Sequence, residues 1–209
     1  MKYHHPLTPA EISREISELC NEIAGEESSP IYVDCKPLQN APSRECFPIV
    51  EEQVSREGGA IVFGWSIWEL PTVFIEAEFH AVWQSPDGRL IDIAPKDEPT
   101  AKILFQKDSL RVYEDRQINN LRRPLRQHPS VIEFIALCNR EYEFMNRGER
   151  AGLHGEIQLQ EADAIEYTQL QMQKAELHLS MLSMVPDIGP YGPCPCGSGK
   201  KKKWCHKSA

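Results

Sequence analysis

The chain has 209 residues, of which 41% are hydrophobic, enough for one good-sized domain with appendages. Residues 1–193 carry 18 basic and 31 acidic side chains, which argues against a body that binds nucleic acid broadly. No stretch approaches eighteen apolar residues and residues 1–9 lack an apolar run, so the sequence predicts neither a membrane span nor a signal peptide.

The first half of the chain predicts two helices and several strands. A helix over residues 9–24 begins at Thr8, an N-cap whose capping box is completed by Glu11, and its apolar residues recur at helical spacing. A second helix starts at Cys46 and is ended by a pair of glycines. The predicted strands cover residues 31–35, 60–68, 74–83, 90–94, 102–105 and 111–113, with a turn at residues 87–88.

The second half predicts helices and a small terminal module. A helix over residues 130–146 begins with a capping box, and a longer helix over residues 156–184 ends before Pro186. Because the apolar residues of the longer helix form no single stripe, we expect it to pack partly on the body and partly on another chain. The resulting units are an α+β body (1–150), a helical arm (151–186), a Pro/Gly linker (187–193) and a tail (194–209).

Two strands and one helix start carry a candidate catalytic set. Along the strand over residues 74–83, period-two alternation places His80 on one face together with two glutamates. Asp92 lies in the next strand of the hairpin, where a suitable register would pair it with His80. With Cys46 at the start of a helix, the three residues form the kind of Cys-His-Asp set that nucleophilic catalysis uses.

Each member of the set has a chemical role in this interpretation. The unpaired N–H groups at a helix start favour a thiolate at Cys46 and could form an oxyanion hole. His80 would take the thiol proton and return it to the leaving group, while Asp92 would orient the imidazole. Alternatives stay open: Cys46 as a buried apolar residue, His80 and Asp92 as structural residues, or Glu78, His80 and Asp92 as a second metal site.

The segment from Cys46 to Pro95 resembles the papain-like transglutaminase superfamily. The similarity lies in the cysteine that opens a helix, in His80-Ala-Val-Trp, and in Leu90-Ile-Asp92-Ile-Ala-Pro95. The resemblance implies a core of antiparallel sheet and helices. It also implies that Cys46, His80 and Asp92 are the catalytic residues of a protease, amidase, deamidase or acyl transferase.

The last sixteen residues hold three thiols and an imidazole in two close pairs, Cys194 with Cys196 and Cys205 with His206. Such a set fills all four positions of a tetrahedral Zn²⁺ ion, so the predicted metal is structural and not catalytic. Two glycines between the pairs permit a tight reversal of the chain. The segment is too short for a core, so metal binding would supply its folding free energy.

The tail resembles the SEC-C motif, a small zinc module found at the C-terminus of the preprotein translocase motor and on many bacterial proteins. The match covers Cys194, Cys196, Gly197, Ser198, Gly199, Lys200, Cys205 and His206. In the translocase motor the module docks onto other proteins. The resemblance therefore implies an adaptor role and a protein partner for this tail.

Two functions follow from these patterns. One is a cysteine-dependent acyl hydrolase or acyl transferase that recruits a protein substrate through its zinc tail. The other is a non-enzymatic adaptor with the same core, which Pro48, so close to the cysteine, favours. Scattered cysteines and no signal peptide predict a reducing cytoplasm in either case. Five lysines leave the tip of the tail open to phosphate, nucleic acid included, or to an acidic protein surface.

Overall fold

The chain folds into helices and a mixed sheet, in agreement with the predicted α+β class. The computed structural model describes residues 5–25, 29–39, 41–42, 45–98, 100–153, 157–194, 198 and 200–205. The helices are α1 (Arg14–Ala24), α2 (Cys46–Glu57), α3 (Pro129–Met145), α4 (Glu161–Leu182) and α5 (Lys202–Cys205), with a 3₁₀ turn at Gly148–Gly152. The strands are β1 (Ile31–Cys35), β2 (Ala60–Leu70), β3 (Phe74–Gln84), β4 (Leu90–Asp92), β5 (Lys102–Lys107) and β6 (Leu121–Pro124).

The first helix starts later than predicted because a different residue caps it. Ser13 is the N-cap of α1, and its hydroxyl oxygen accepts the N–H of Ile16 at 3.2 Å. Thr8, the predicted cap, donates its hydroxyl to the carbonyl oxygen of Lys102 at 2.6 Å. Hydrogen bonding to the sheet therefore holds this part of the N-terminal segment out of the helix.

The strands after β5 also differ from the prediction. Residues 111–113 do not form a strand, because the Asp108 carboxylate accepts the N–H groups of Leu110 and Arg111 at 2.8 and 3.2 Å and turns the chain. The additional strand is β6, which pairs with the first four residues of β3. Arg122 of β6 forms an ion pair with Glu76 of β3 at 2.6 Å, which helps to hold this pairing.

The six strands form one mixed sheet in the order β2-β5-β1-β4-β3-β6. Because β2 also pairs with β3, five of these strands close into a barrel and β6 extends from its side. The expectation of an antiparallel sheet is wrong at one pair, since β1 runs parallel to β4 and places Cys35 beside Asp92. Parallel neighbours need a long crossover, and α2 with the β2–β3 hairpin supplies it.

The two faces of β3 pack into different layers, in agreement with the predicted alternation. Ala81 faces outward and packs with Ile49 and Val50 of α2, while α1 covers other residues of the same outer face. Val82 faces inward and packs with apolar residues from the other barrel strands. The inner cluster consists of Val33, Val62, Val82, Ile103 and Phe105.

The helical arm packs on the body. α4 lies along α3, and its last turn buries Met181 together with Val185 against Leu70 and Phe74 at the β2–β3 turn. Other positions of α4, such as Met172, are exposed. Within the described ranges no helix has both the length and the apolar content that a membrane span requires, which agrees with the sequence prediction.

Candidate active site

Helix α2 begins at Cys46 and packs on the sheet. Cys46 is the first residue of the helix, and the first intrahelical bond runs from the N–H of Ile49 to the carbonyl of Glu45 at 3.3 Å. The N–H groups of Cys46 and Phe47 come before that bond, as at any helix start. Pro48 lies in the same first turn, where a missing N–H costs no helix bond.

A gap in the sheet leaves the middle of β3 accessible from one edge. β4 pairs with Trp83 and Gln84 at the end of β3, and β6 pairs with residues 74–77 at its start. Between these pairings lie Glu78 and His80. The Cys46 thiol lines the same cleft as the His80 ring and lies close enough for its negative charge to raise the pKa of that ring. The structure thus brings together the predicted nucleophile and the predicted base.

Asp92 reaches His80 diagonally across the β3–β4 pair. The register pairs Trp83 with Ile91, so Asp92 lies one step beyond this pair, opposite Val82 and on the side of the sheet that carries His80. The Nε2 atom of His80 lies 3.1 Å from Oδ1 of Asp92, and the two side chains are only 6% and 0% exposed. Because Asp92 occupies Nε2, Nδ1 is the ring nitrogen that remains to interact with the Cys46 thiol.

Two residues that the sequence interpretation did not include occupy the other oxygen of Asp92. The Lys96 ammonium lies 2.7 Å from Oδ2, and the Cys35 thiol donates to the same oxygen at 3.6 Å. The main-chain N–H of Ala94 donates to Oδ1 at 3.2 Å. Only the parallel register of β1 and β4 brings Cys35 here. Lys96, four residues after Asp92, could have been suspected from the sequence.

The charges in this cluster stabilise one another. Burial alone would lower the pKa of His80, but the negative charges of Cys46 and Asp92 and their hydrogen bonds raise that pKa to about 10. Burial would raise the pKa of Asp92, yet His80 and Lys96 hold it well below its usual range. Burial and the nearby Asp92 charge raise the pKa of Cys35 to about 12. The structure therefore favours an imidazolium beside an ionised carboxylate.

The cluster opens onto a cleft of about 720 Å³. Phe47 and Tyr113 stack in parallel beside it, with ring centroids 3.8 Å apart, and make one wall aromatic. Glu45 and Glu78 add carboxylates near the thiol. The larger apolar side chains among the other lining residues are Phe79, Ile118, Met145, Leu153 and Ile157. A substrate with an apolar group next to its reactive carbonyl fits such walls.

The alternative of a second metal site at Glu78, His80 and Asp92 is not supported. Oε2 of Glu78 accepts the indole N–H of Trp68 at 2.9 Å, whereas His80 and Asp92 bind each other. In the part of the chain that the structure describes, no group of three or more His, Cys, Asp or Glu side chains could hold a metal ion.

The tail reverses direction between its two pairs of candidate zinc ligands. The N–H of Cys194 donates to the carbonyl of Lys200 at 2.8 Å, and α5 then ends at Cys205. Cys196 and His206, the other two predicted ligands, lie outside the described residues. The reversal fits a ligand set supplied by two separate pairs, and thiolate with imidazole is the donor chemistry that zinc prefers.

Comparisons of the chain with protein-family models, with curated proteins and with solved structures find no match. The basis for assigning a function is therefore the arrangement of Cys46, His80 and Asp92. A thiol beside a protonated imidazole, itself held by a carboxylate, is equipped to attack a carbonyl carbon and to protonate the group that leaves. A helix start at the thiol adds N–H donors for the oxyanion.

Proposed function

We propose that the chain is a cysteine-dependent acyl hydrolase or acyl transferase with a papain- or transglutaminase-like core. The observation that carries the proposal is the buried His80 ring, which lies 3.1 Å from the Asp92 carboxylate and shares a cleft with the Cys46 thiol at the start of α2. A structural histidine needs partners too, but it does not need a thiol at a helix N-terminus and an open cleft.

The first half of the proposed reaction forms a thioester. The Cys46 thiolate attacks the carbonyl carbon, and the negative charge on the carbonyl oxygen is stabilised by the N–H groups at the start of α2. When the tetrahedral intermediate collapses, the imidazolium of His80 gives its proton to the leaving amine or alcohol. Asp92 keeps the imidazole ring aligned throughout, as its 3.1 Å contact with Nε2 suggests.

The second half releases the acyl group. Water, or an amine in the case of a transferase, attacks the thioester carbonyl and passes a proton to the now neutral His80. Collapse of this intermediate expels the Cys46 thiolate and regenerates the starting ion pair. The apolar walls of the cleft around Phe47 and Tyr113 favour an acyl group with an apolar side chain.

Trapping of the acyl-enzyme tests this proposal. The full-length protein is incubated with p-nitrophenyl acetate, quenched in acid and analysed by peptide mass spectrometry. We expect an acetyl group on Cys46 that Cys46→Ala abolishes, and His80→Ala should slow its formation by at least about 100-fold. Cys138→Ala is the matched control, because Cys138 is also a buried helix thiol. An equal acetylation of all cysteines would contradict the proposal.

For the tail we propose a structural Zn²⁺ ion held by Cys194, Cys196, Cys205 and His206. The donor set and the chain reversal at Cys194 support it. When bound, the ion supplies folding free energy to the tail and leaves no coordination position for a substrate. Zinc content measured on the purified protein, with Cys205→Ser as the comparison, tests this assignment.

The second candidate function is a non-enzymatic adaptor, for which the tip of the tail is the specific observation. Tyr191 and Trp204 are 57% and 63% exposed, and Lys201 lies over both rings. An exposed aromatic pair with cations suits a protein partner with acidic residues. A zinc-loaded protein that forms no acyl-enzyme would favour this function. In either case we propose a location in the reducing cytoplasm.

A further inference from the structure

Lys96 contacts the side of the Asp92 carboxylate that does not face His80. Its ammonium lies 2.7 Å from Oδ2 of Asp92 and 3.3 Å from the carbonyl oxygen of Ala94, and its side chain is 18% exposed. Asp92 is fully buried. Its two oxygens therefore serve two cations, with Oδ1 on His80 and Oδ2 on Lys96.

This division of the carboxylate has an electrostatic consequence for the base. If Asp92 contacted His80 alone, its full negative charge would stabilise the imidazolium and raise the pKa of His80 further. Lys96, 2.7 Å from Oδ2 of the same carboxylate, offsets part of that negative charge. The His80 ring therefore gives up its proton more easily, while the fixed carboxylate still orients it.

The other ionisable groups near His80 affect its protonation according to their charge. Cys46 from α2 carries a negative charge when ionised, which favours the imidazolium, and Glu78 from β3 adds a carboxylate to the same cleft. Cys35 from β1 donates its thiol hydrogen to Asp92 and is neutral at physiological pH. Glu45, next to Cys46, is a further carboxylate of the cleft. Arg150 also lines the cleft but is paired with Asp163, whereas Lys96 is the cation that contacts Asp92.

We propose that Lys96 is a positioning residue, which fixes the second oxygen of Asp92 and weakens the hold of His80 on its proton so that the ring can act as the base of the second half-reaction. This inference rests on the proposed function. In that step the ring must accept a proton from the attacking water or amine, so it must first be neutral. A histidine that keeps its proton too strongly would leave the enzyme acylated.

An NMR titration of the histidine ring signals tests the coupling without any substrate. The full-length protein is labelled with ¹⁵N-histidine, and Cys46 is capped by methyl methanethiosulfonate so that its charge does not contribute. We expect Lys96→Gln, which can still donate a hydrogen bond, to raise the pKa of His80 by about one unit. Lys96→Arg, which keeps the positive charge, should leave the titration within a few tenths of a unit.

A kinetic readout uses the acyl-enzyme itself. In Lys96→Gln we expect the acetyl group to persist on Cys46 about tenfold longer at neutral pH, with the loss recovered at higher pH, whereas a purely structural defect would slow both half-reactions equally. An unshifted His80 titration in folded Lys96→Gln would overturn the role of Lys96. The absence of any acyl-enzyme in the wild type would instead overturn the proposed function, so the two failures are distinct.

Discussion

His80 is the residue on which the account of this molecule depends. A histidine in the middle of a sheet is usually satisfied by one neighbour and covered by the next strand. Here β4 and β6 leave that part of β3 uncovered, and the ring meets a carboxylate and a thiol. The combination gives a side chain that is buried, charged and yet adjacent to a cleft.

Removal of the Asp92 charge should lower the reactivity of Cys46 more than it lowers the stability of the fold. In Asp92→Asn the imidazolium loses its main carboxylate partner, so we expect the pKa of His80 to fall and the alkylation of Cys46 at neutral pH to slow by at least about tenfold. Asp34→Asn is the control, since Asp34 is an exposed carboxylate of the neighbouring strand. Equal alkylation rates in the two variants would contradict the role given to Asp92.

The stability of the body should depend on pH through the same histidine. Burial opposes the charged ring, but Cys46 and Asp92 raise the folded-state pKa of His80 to about 10. The resulting stabilisation is complete below the unfolded pKa of about 6.5 and is lost as the pH rises through the folded value.

Urea unfolding measures this dependence. Between about pH 6 and about pH 9, the wild type should lose more than about 1 kcal/mol of unfolding free energy relative to His80→Gln. Parallel loss in both proteins would mean that His80 is not the group that titrates. The acetylation of Cys46 needs to be followed separately, since stability alone does not report on catalysis.

At the scale of residues, the sequence predicted the three members of the set but not their surroundings. Residue type and order pointed to Cys46, His80 and Asp92, because helix starts and period-two alternation are local properties. Cys35 could not be predicted, since the parallel register that places it beside Asp92 is a long-range property of the sheet. Lys96 becomes informative only once Asp92 is known to be fully buried.

At the scale of elements, closure of the barrel depends on a close approach at Gly64. This residue of β2 faces His80 in β3 and Lys107 in β5. A side chain at this position would overlap the carbonyl oxygen of Gln106 and the ring of Phe105. Only glycine therefore lets the strands that close the barrel meet at this distance.

Gly64→Ala should accordingly destabilise the protein by about 1–3 kcal/mol. Chemical denaturation of the purified variant measures the loss. The matched control is Gly189→Ala, because a methyl group at Gly189 meets no atom within 4 Å. If both substitutions have the same small effect, the barrel is not closed as tightly at β2 and β5 as the structure implies.

The helices and long strands were predictable because their signals are local, whereas the pairings were not. Residue patterns gave α2, β2 and β3 nearly to the residue. β6 has no apolar alternation, and it exists because Arg122 and its neighbours find partners on β3. In the same way, Thr8 is not the N-cap of α1, because its hydroxyl donates to the carbonyl oxygen of Lys102, which lies far along the chain.

At the scale of the whole molecule, we expect the body and the tail to draw their stability from different sources. The body has apolar clusters on both faces of its sheet. The tail holds its reversal by main-chain hydrogen bonds such as that from Cys194 to Lys200, and its short α5 buries none of its side chains. The proposed zinc ion would supply further folding free energy to a segment of this size.

Zinc removal should therefore unfold the tail and spare the body. On treatment with a chelator, or in Cys205→Ser, we expect loss of an equimolar amount of zinc and rapid proteolysis after residue 190. The main thermal transition should stay at the wild-type temperature. A shift of that transition by many degrees would show that the tail is part of the core, and would refute the division into body and zinc module.

The most direct test of the central claim is the rate of Cys46 alkylation by iodoacetamide as a function of pH, measured by peptide mass spectrometry on the zinc-loaded protein. A thiol activated by His80 predicts that Cys46 is alkylated much faster than other buried thiols at neutral pH, and that His80→Ala slows this alkylation. Cys20, which is fully buried, serves as the unreactive internal reference. A Cys46 that stays as inert as Cys20 at every pH would contradict a catalytic role and leave the adaptor function.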